Sequence, residues 1–231
     1  MSYKSKFGFT LAEVLITLGI IGVVAALVMP SLIAKYQEKE NVVKLKKFYS
    51  AISQAYLQVQ NDEGGPLKDW GLSSAAGSGS ELVLMDKFLK YMNTSKICGN
   101  NSGCFPSVYL KFSDGSVYSN WDTAANCARA ILADGTLIMF NLSNAGSPID
   151  AQIYVDINGF RGPNVVGKDA FHFYIVGDKI VPAGAPDVFP GMFESSCLAG
   201  NGYGCTAWVI YNENMDYLRC KDLDWNTKTK C

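Results

Sequence analysis

The sequence predicts an α+β fold. A long N-terminal helix, membrane-spanning in its first half, packs its second half on an antiparallel β-sheet globular domain. Three observations predict it. From Phe9 to Ala34 the chain is almost wholly apolar, with one carboxylate, Glu13. Past Pro30 the apolar residues fall into helical spacing, up to a cluster of stop residues at 61–66. Beyond it, β-prone runs alternate with Asp-Gly and other turn signals.

The apolar run comes first. As a helix rising ~1.5 Å per residue it would cover about 39 Å, more than the ~30 Å hydrocarbon core of a bilayer. A secretory signal has a shorter apolar region with a small-residue cleavage site after it. Here Lys4, Lys6 and Gly8 stand before the run. An ionisable side chain within such a segment is costly and usually has a partner, which makes Glu13 the residue to explain.

The second half of the helix is amphipathic. Leu45, Phe48, Ile52, Tyr56 and Val59 recur at three- and four-residue steps, with Lys46, Lys47, Gln54 and Gln58 between them. The run stops at "NDEGGP", which holds Asn61, Gly64, Gly65 and Pro66. One helix of about 50 residues follows, some 75–80 Å long, bent or loosened at Pro30. The predicted boundaries are 1–8, 9–34 (membrane), 35–63 (amphipathic helix) and 64–231 (globular domain).

In the globular part "GLSSAAGSGS" reads as a loop. "ELVLMDKFLKYMN" reads as a short helix, with Leu82, Met85, Phe88, Leu89 and Met92 at helical spacing. Two hairpins are expected, "VYLKFSDGSVYSNW" turning at Asp114-Gly115 and "AILADGTLIMFNL" at Asp134-Gly135. Both turns are expected as two-residue turns with positive φ at both central positions. "AQIYVDINGF" and "AFHFYIVGDKIVPAG" add strands, and the whole forms one antiparallel sheet. In the tail, "TAWVIYNENMDYL" reads as a helix.

The net charge of −1 gives no bulk electrostatic case for nucleic acid or anionic lipid. No basic stripe accompanies the tryptophans Trp70, Trp121, Trp208 and Trp225, which are expected mostly in core and turn packing. Seven cysteines occur and none lies in a C-x-x-C pair, which argues against a zinc ribbon. Cys98 with Cys104, Cys197 with Cys205, and Cys220 with Cys231 would each close a short loop, as disulfides in an oxidising compartment. Connectivity is open from sequence, and the odd cysteine stays free or pairs elsewhere. Asp156, Asn158 and Asp169 surround a glycine turn and offer hard oxygen ligands of the kind Ca²⁺ takes. They lack the EF-hand pattern, and an Asx-capped turn explains them as simply. His172, in "AFHFYI", has no G-x-S-x-G elbow to serve and is expected exposed or hydrogen-bonded on a strand. No phosphate-binding glycine loop is present. The chain has no motif for catalysis, and no cofactor is expected beyond a possible structural calcium.

"GFTLAEV" resembles the processing motif of type IV prepilins and of the related pseudopilins of type II secretion, over roughly the first 35 residues. The resemblance implies a leader, residues 1–8, cut between Gly8 and Phe9 by a prepilin peptidase. It implies N-methylation of Phe9, and makes Glu13 the assembly residue. Pro30 matches a proline frequent in that family's long helix. Some pseudopilins also hold a structural calcium in C-terminal loops, which bears on Asp156, Asn158 and Asp169. The implied function is a filament subunit, a pseudopilin of a type II secretion-like system. The alternative is a minor or tip subunit of a type IV pilus, with adhesion or DNA uptake as its role. The implied partners are other pilin-like subunits, the peptidase, the inner-membrane assembly platform and the lipid bilayer. A charge count would put the C-terminal domain in the cytoplasm, since Lys35, Lys39, Lys44, Lys46 and Lys47 follow the membrane segment. The family resemblance and the cysteine content instead place the leader inside and the domain outside the cytoplasm, single-pass in the bacterial inner membrane. A filament in the periplasm or on the cell surface then follows.

Overall fold

A computed structural model describes residues 10–144 and 147–231 of the chain. The first helix, α1, runs Leu11–Glu63 and includes Pro30. Two compact units are present, Met1–Lys39 and Glu40–Cys231.

In the first unit the described residues are helical from Leu11, and their large apolar side chains (Leu15, Ile16, Ile20, Ile21, Leu27, Leu32) are exposed. An 18-residue window here has a mean hydropathy of 2.5 with none of it buried, which makes the helix long and apolar enough to cross a membrane. The hydroxyls of this stretch turn back on the helix. Thr17 Oγ1 donates to the Glu13 carbonyl at 3.0 Å, and Ser31 Oγ to the Val28 carbonyl at 2.9 Å. No solvent partner is then needed for either donor, as an apolar environment demands.

In the second unit α1 buries Val42, Leu45, Phe48, Ile52, Ala55, Tyr56 and Val59, one stripe at helical spacing. It ends where the amides of Gly64 and Gly65 both donate to the Gln60 carbonyl, with Gly64 at φ +79°. That left-handed cap is open to glycine at little cost. A second helix, α2 (Ser80–Leu89), buries Leu84, Met85 and Phe88.

Six strands form one antiparallel sheet in chain order: β1 (Thr94–Gly99), β2 (Ala128–Leu132), β3 (Leu137–Leu142), β4 (Ala151–Asp156), β5 (Ala170–Val176) and β6 (Lys179–Pro182). Residues on one face, including Ala130, Ile138, Val155 and Phe171 in register, join the α1 stripe and α2 in the main core. Phe173 meets Phe48 and stacks on Tyr49, with ring centroids 5.5 and 5.6 Å apart. The short helix α3 (Thr206–Asn212) adds Trp208 and Val209 to this core.

The opposite face carries a cross-strand row of Arg129, Met139, Tyr154 and His172. Residues 100–127 cover it. Phe105, Leu110, Trp121 and Cys127 from that segment pack with Leu137 and Met139. Two buried charges organise the cover. The Arg129 guanidinium donates to the carbonyls of Trp121 (2.6 Å), Cys127 (3.1 Å), Asn100 (3.2 Å) and Ala124. The Asp122 carboxylate accepts the amides of Gly103 (2.7 Å), Phe105 (3.0 Å) and Cys104 (3.2 Å) and the Ser107 hydroxyl. Burial works against the Asp122 anion, but these donors hold its carboxyl below the usual range.

Four expectations change. The Asp114-Gly115 hairpin lies outside the sheet. Its arms hydrogen-bond to each other, the amides of Leu110, Phe112 and Tyr118 donating to the carbonyls of Ser119, Ser116 and Leu110, around an isolated bridge of Lys111 to Val117; Lys111 also bridges Val165. It belongs to the covering segment, where most of its backbone donors pair within the hairpin and the Lys111 amide donates to the Asn164 carbonyl at 3.1 Å. Both Asp-Gly turns have positive φ at the glycine alone, +89° at Gly115 and +86° at Gly135. In each, the glycine amide returns to the residue three earlier and the aspartate accepts the amide two residues on, so they are type I turns closed by a glycine bulge. Strand β1 had no signal in "TSKICG", because it is a polar edge strand with broken register. The tail helix is confined to Thr206–Asn212, followed by a separate 3₁₀ turn at Asp216–Leu218.

Candidate functional site

The N-terminus of α1 is closed by a reciprocal cap. Thr10 Oγ1 accepts the Glu13 amide at 3.3 Å, while Glu13 Oε2 accepts both the Thr10 amide and the Thr10 hydroxyl at 2.8 Å. This is the capping-box arrangement of a Thr followed three residues later by a Glu. The signal "TLAE" was present in the sequence and identifies Thr10 as Glu13's neighbour, a residue the family motif alone did not single out. The box satisfies two donors of the helix terminus and aims the carboxylate at the chain segment that precedes the helix. Gly8 and Phe9 lie outside the described residues.

Asp156, Asn158 and Asp169 come together at the end of β4 and start of β5. Asp169 accepts the amides of Val165 (2.6 Å) and Asn164 (2.8 Å) and the Asn158 side-chain amide (2.9 Å). Asp156 accepts the Asn158 amide at 3.1 Å. Nitrogen donors, then, occupy these carboxylates and shape the 158–168 loop. Among the described residues no group of three or more His, Cys, Asp or Glu could hold a metal ion. Burial, with the nearby Asp169 charge adding to it, pushes the Asp156 carboxyl up to about 8; burial also raises Asp169.

His172 corrects its expectation: it is neither exposed nor hydrogen-bonded through its ring. It is 1% exposed, and both ring nitrogens lack a partner. Its ring stacks on Tyr203 at 3.9 Å and meets Tyr154, Trp121 and Tyr118 edge-on. Burial lowers its pKa to about 3, so the ring is neutral. Its surroundings are aromatic, without the serine and carboxylate that a nucleophilic triad requires. The sequence could not show this, because the rings around His172 come from distant segments, Tyr118 and Trp121 on one side of it in sequence and Tyr203 on the other.

Disulfides join Cys98 to Cys104, Cys197 to Cys205 and Cys220 to Cys231. Cys127 is a buried free thiol, pushed up by burial.

Residues 3–29 match the family model of the prokaryotic N-terminal methylation motif, the type IV pilin and pseudopilin signature. Residues 31–181 match the model of a family of unknown function (DUF6613), a match that spans the second half of α1 and the sheet into β6. No curated protein and no solved structure matches the chain.

Proposed function

Because the chain belongs to a family of unknown function, DUF6613, and opens with the N-terminal methylation motif of type IV pilins, we propose that it is a pseudopilus subunit of a type II secretion-like system. The observation that carries this reading is the N-terminal motif, with Glu13 at the head of an exposed apolar helix. The prepilin peptidase cuts between Gly8 and Phe9, and Phe9 is N-methylated. The subunit rests in the inner membrane, single-pass, with residues 64–231 outside the cytoplasm. Other pilin-like subunits and an inner-membrane assembly platform then take it into a filament, where apolar helices bury one another. Its role is structural and it catalyses nothing.

Glu13 supplies the register. Cleavage frees an α-amine at Phe9, cationic at neutral pH, one residue from the Thr10 that Glu13 already holds. The carboxylate pairs with that amine, its own or a neighbour's, and a misplaced subunit leaves an acid unpaired in apolar surroundings. Three disulfides suit the oxidising compartment outside the cytoplasm. A minor or tip subunit of a type IV pilus shares this mechanism, and the size of the globular domain suits such a position.

Mass spectrometry of the membrane fraction tests the reading. It should find a chain that starts at Phe9 and is methylated on its amine, and Gly8→Arg should leave the leader attached. A mature chain starting at Met1 in cells with active prepilin peptidase would overturn it. Loss of enzyme secretion, against loss of surface pili, in a deletion strain separates the two machines.

A further inference from the structure

We propose that the 158–168 loop seats the globular unit on a membrane surface rich in anionic phospholipid, with Phe160 at headgroup depth and Arg161 and Lys168 on the phosphates. The inference rests on the membrane-anchored reading above.

Position comes first. The globular unit begins at Glu40. The next residue, Asn41, donates its side-chain amide to the Lys168 carbonyl at 3.0 Å, and Arg161 lies close enough to Glu40 to act on its carboxylate. The loop therefore sits at the pole where the chain enters the unit. Only seven residue steps separate Ala34, the last of the apolar run, from Asn41. Even fully extended they reach about 25 Å, and as a helix about 10 Å. The length of that connection bounds how far Asn41, and the loop it holds, can be from the end of the apolar run.

Construction comes second. Phe160 is 56% exposed, and Arg161 and Lys168 are exposed. An exposed aromatic is often incidental, but this one stands on a rigid base. The buried Asp169 and Asp156 tie down the backbone on both sides of it, and the Asn158 side chain reaches the Gly162 carbonyl at 3.3 Å. Burying two carboxylates to hold a surface loop costs stability, which fits a loop kept for contact.

Charge comes third. Lys44 adds a cation beside the loop, bound to Glu40 at 2.8 Å. With Lys35 and Lys39 of the intervening sequence, Lys44, Arg161 and Lys168 make five cations against the two carboxylates Glu38 and Glu40. An aromatic at headgroup level flanked by Lys and Arg is how proteins meet an anionic bilayer surface. The lysines that spoil a positive-inside count then have a use on the leaflet they face.

The full-length chain, reconstituted in vesicles, tests the inference. Flotation is measured first, then hydrogen exchange of peptides covering 158–168, in phosphatidylethanolamine–phosphatidylglycerol vesicles and in phosphatidylcholine vesicles. Exchange should be about fivefold slower with phosphatidylglycerol, and the Phe160→Ser/Arg161→Glu variant should float yet lose that slowing. Flotation with equal rates in both lipids would overturn this inference alone. Slowing that grows with the protein-to-lipid ratio would also overturn it, since a second subunit would then be the partner. Failure to float would overturn the anchored reading and this inference together.

Discussion

The Glu13 carboxylate accepts both the amide and the hydroxyl of Thr10, each at 2.8 Å. One carboxylate oxygen, Oε2, thus serves the helix cap, and under the proposed function the same carboxylate also pairs with the amine of Phe9. Substitution separates the two roles. Glu13→Gln keeps an acceptor for Thr10 and has no charge, whereas Glu13→Val loses both. Both variants should be processed and membrane-resident, and both should fail to enter filaments in cells lacking wild-type subunits. Normal incorporation of Glu13→Gln, scored in sheared filaments, would reduce Glu13 to a cap.

The three disulfides close loops between cysteines 6, 8 and 11 residues apart. Reduction should destabilise the globular unit by ~2–4 kcal/mol per loop opened. Non-reducing alkylation should label no thiol in the native protein and one, at Cys127, after denaturation. Labelling of several thiols in freshly isolated envelope protein would contradict both the pairing and the oxidising compartment.

Asp156 has a folded pKa of about 8, against about 3.9 in an unfolded chain. The folded state binds this proton more tightly, so its contribution is complete at low pH and is lost as pH rises from about 4 to about 8. Asp156→Asn keeps an oxygen for the Asn158 amide and removes the titration. The variant should be more stable than wild type at pH 8 and little different at pH 4, by urea midpoint in detergent. Equal midpoints at pH 8 would show that Asp156 ionises freely.

His172 titrates with the opposite sign. Its folded pKa of about 3 lies below the unfolded value near 6.5, so its contribution is complete above about pH 6.5 and is lost as pH falls toward about 3. His172→Phe preserves stacking on Tyr203 and removes two unpaired nitrogens. It should flatten the acid side of the stability profile without weakening the protein at pH 7. An unchanged acid slope would mean that protonation of His172 is not what costs stability there.

Local pattern by itself determined the helix, its stripe and most of the sheet. A period of three to four residues at Leu45, Phe48, Ile52, Tyr56 and Val59 admits one buried helical face, and all five are buried. The glycines of the two Asp-Gly turns were legible, though not their turn type, since one positive φ serves a type I turn with a bulge and two serve the tighter hairpin. The N-terminal motif was legible as well, because it is a contiguous chemical signal for processing. Only the tertiary structure decided what covers the far face of the sheet. The row from Arg129 to His172 could have faced water, and His172 alone in "AFHFYI" looks equally suited to either fate. Residues 100–127 close over it, held by Arg129 and Asp122, whose hydrogen bonds run mostly to backbone carbonyls and amides. Such partners carry no side-chain identity, so no pattern in the sequence announces them; only the folded path of the chain brings them within reach.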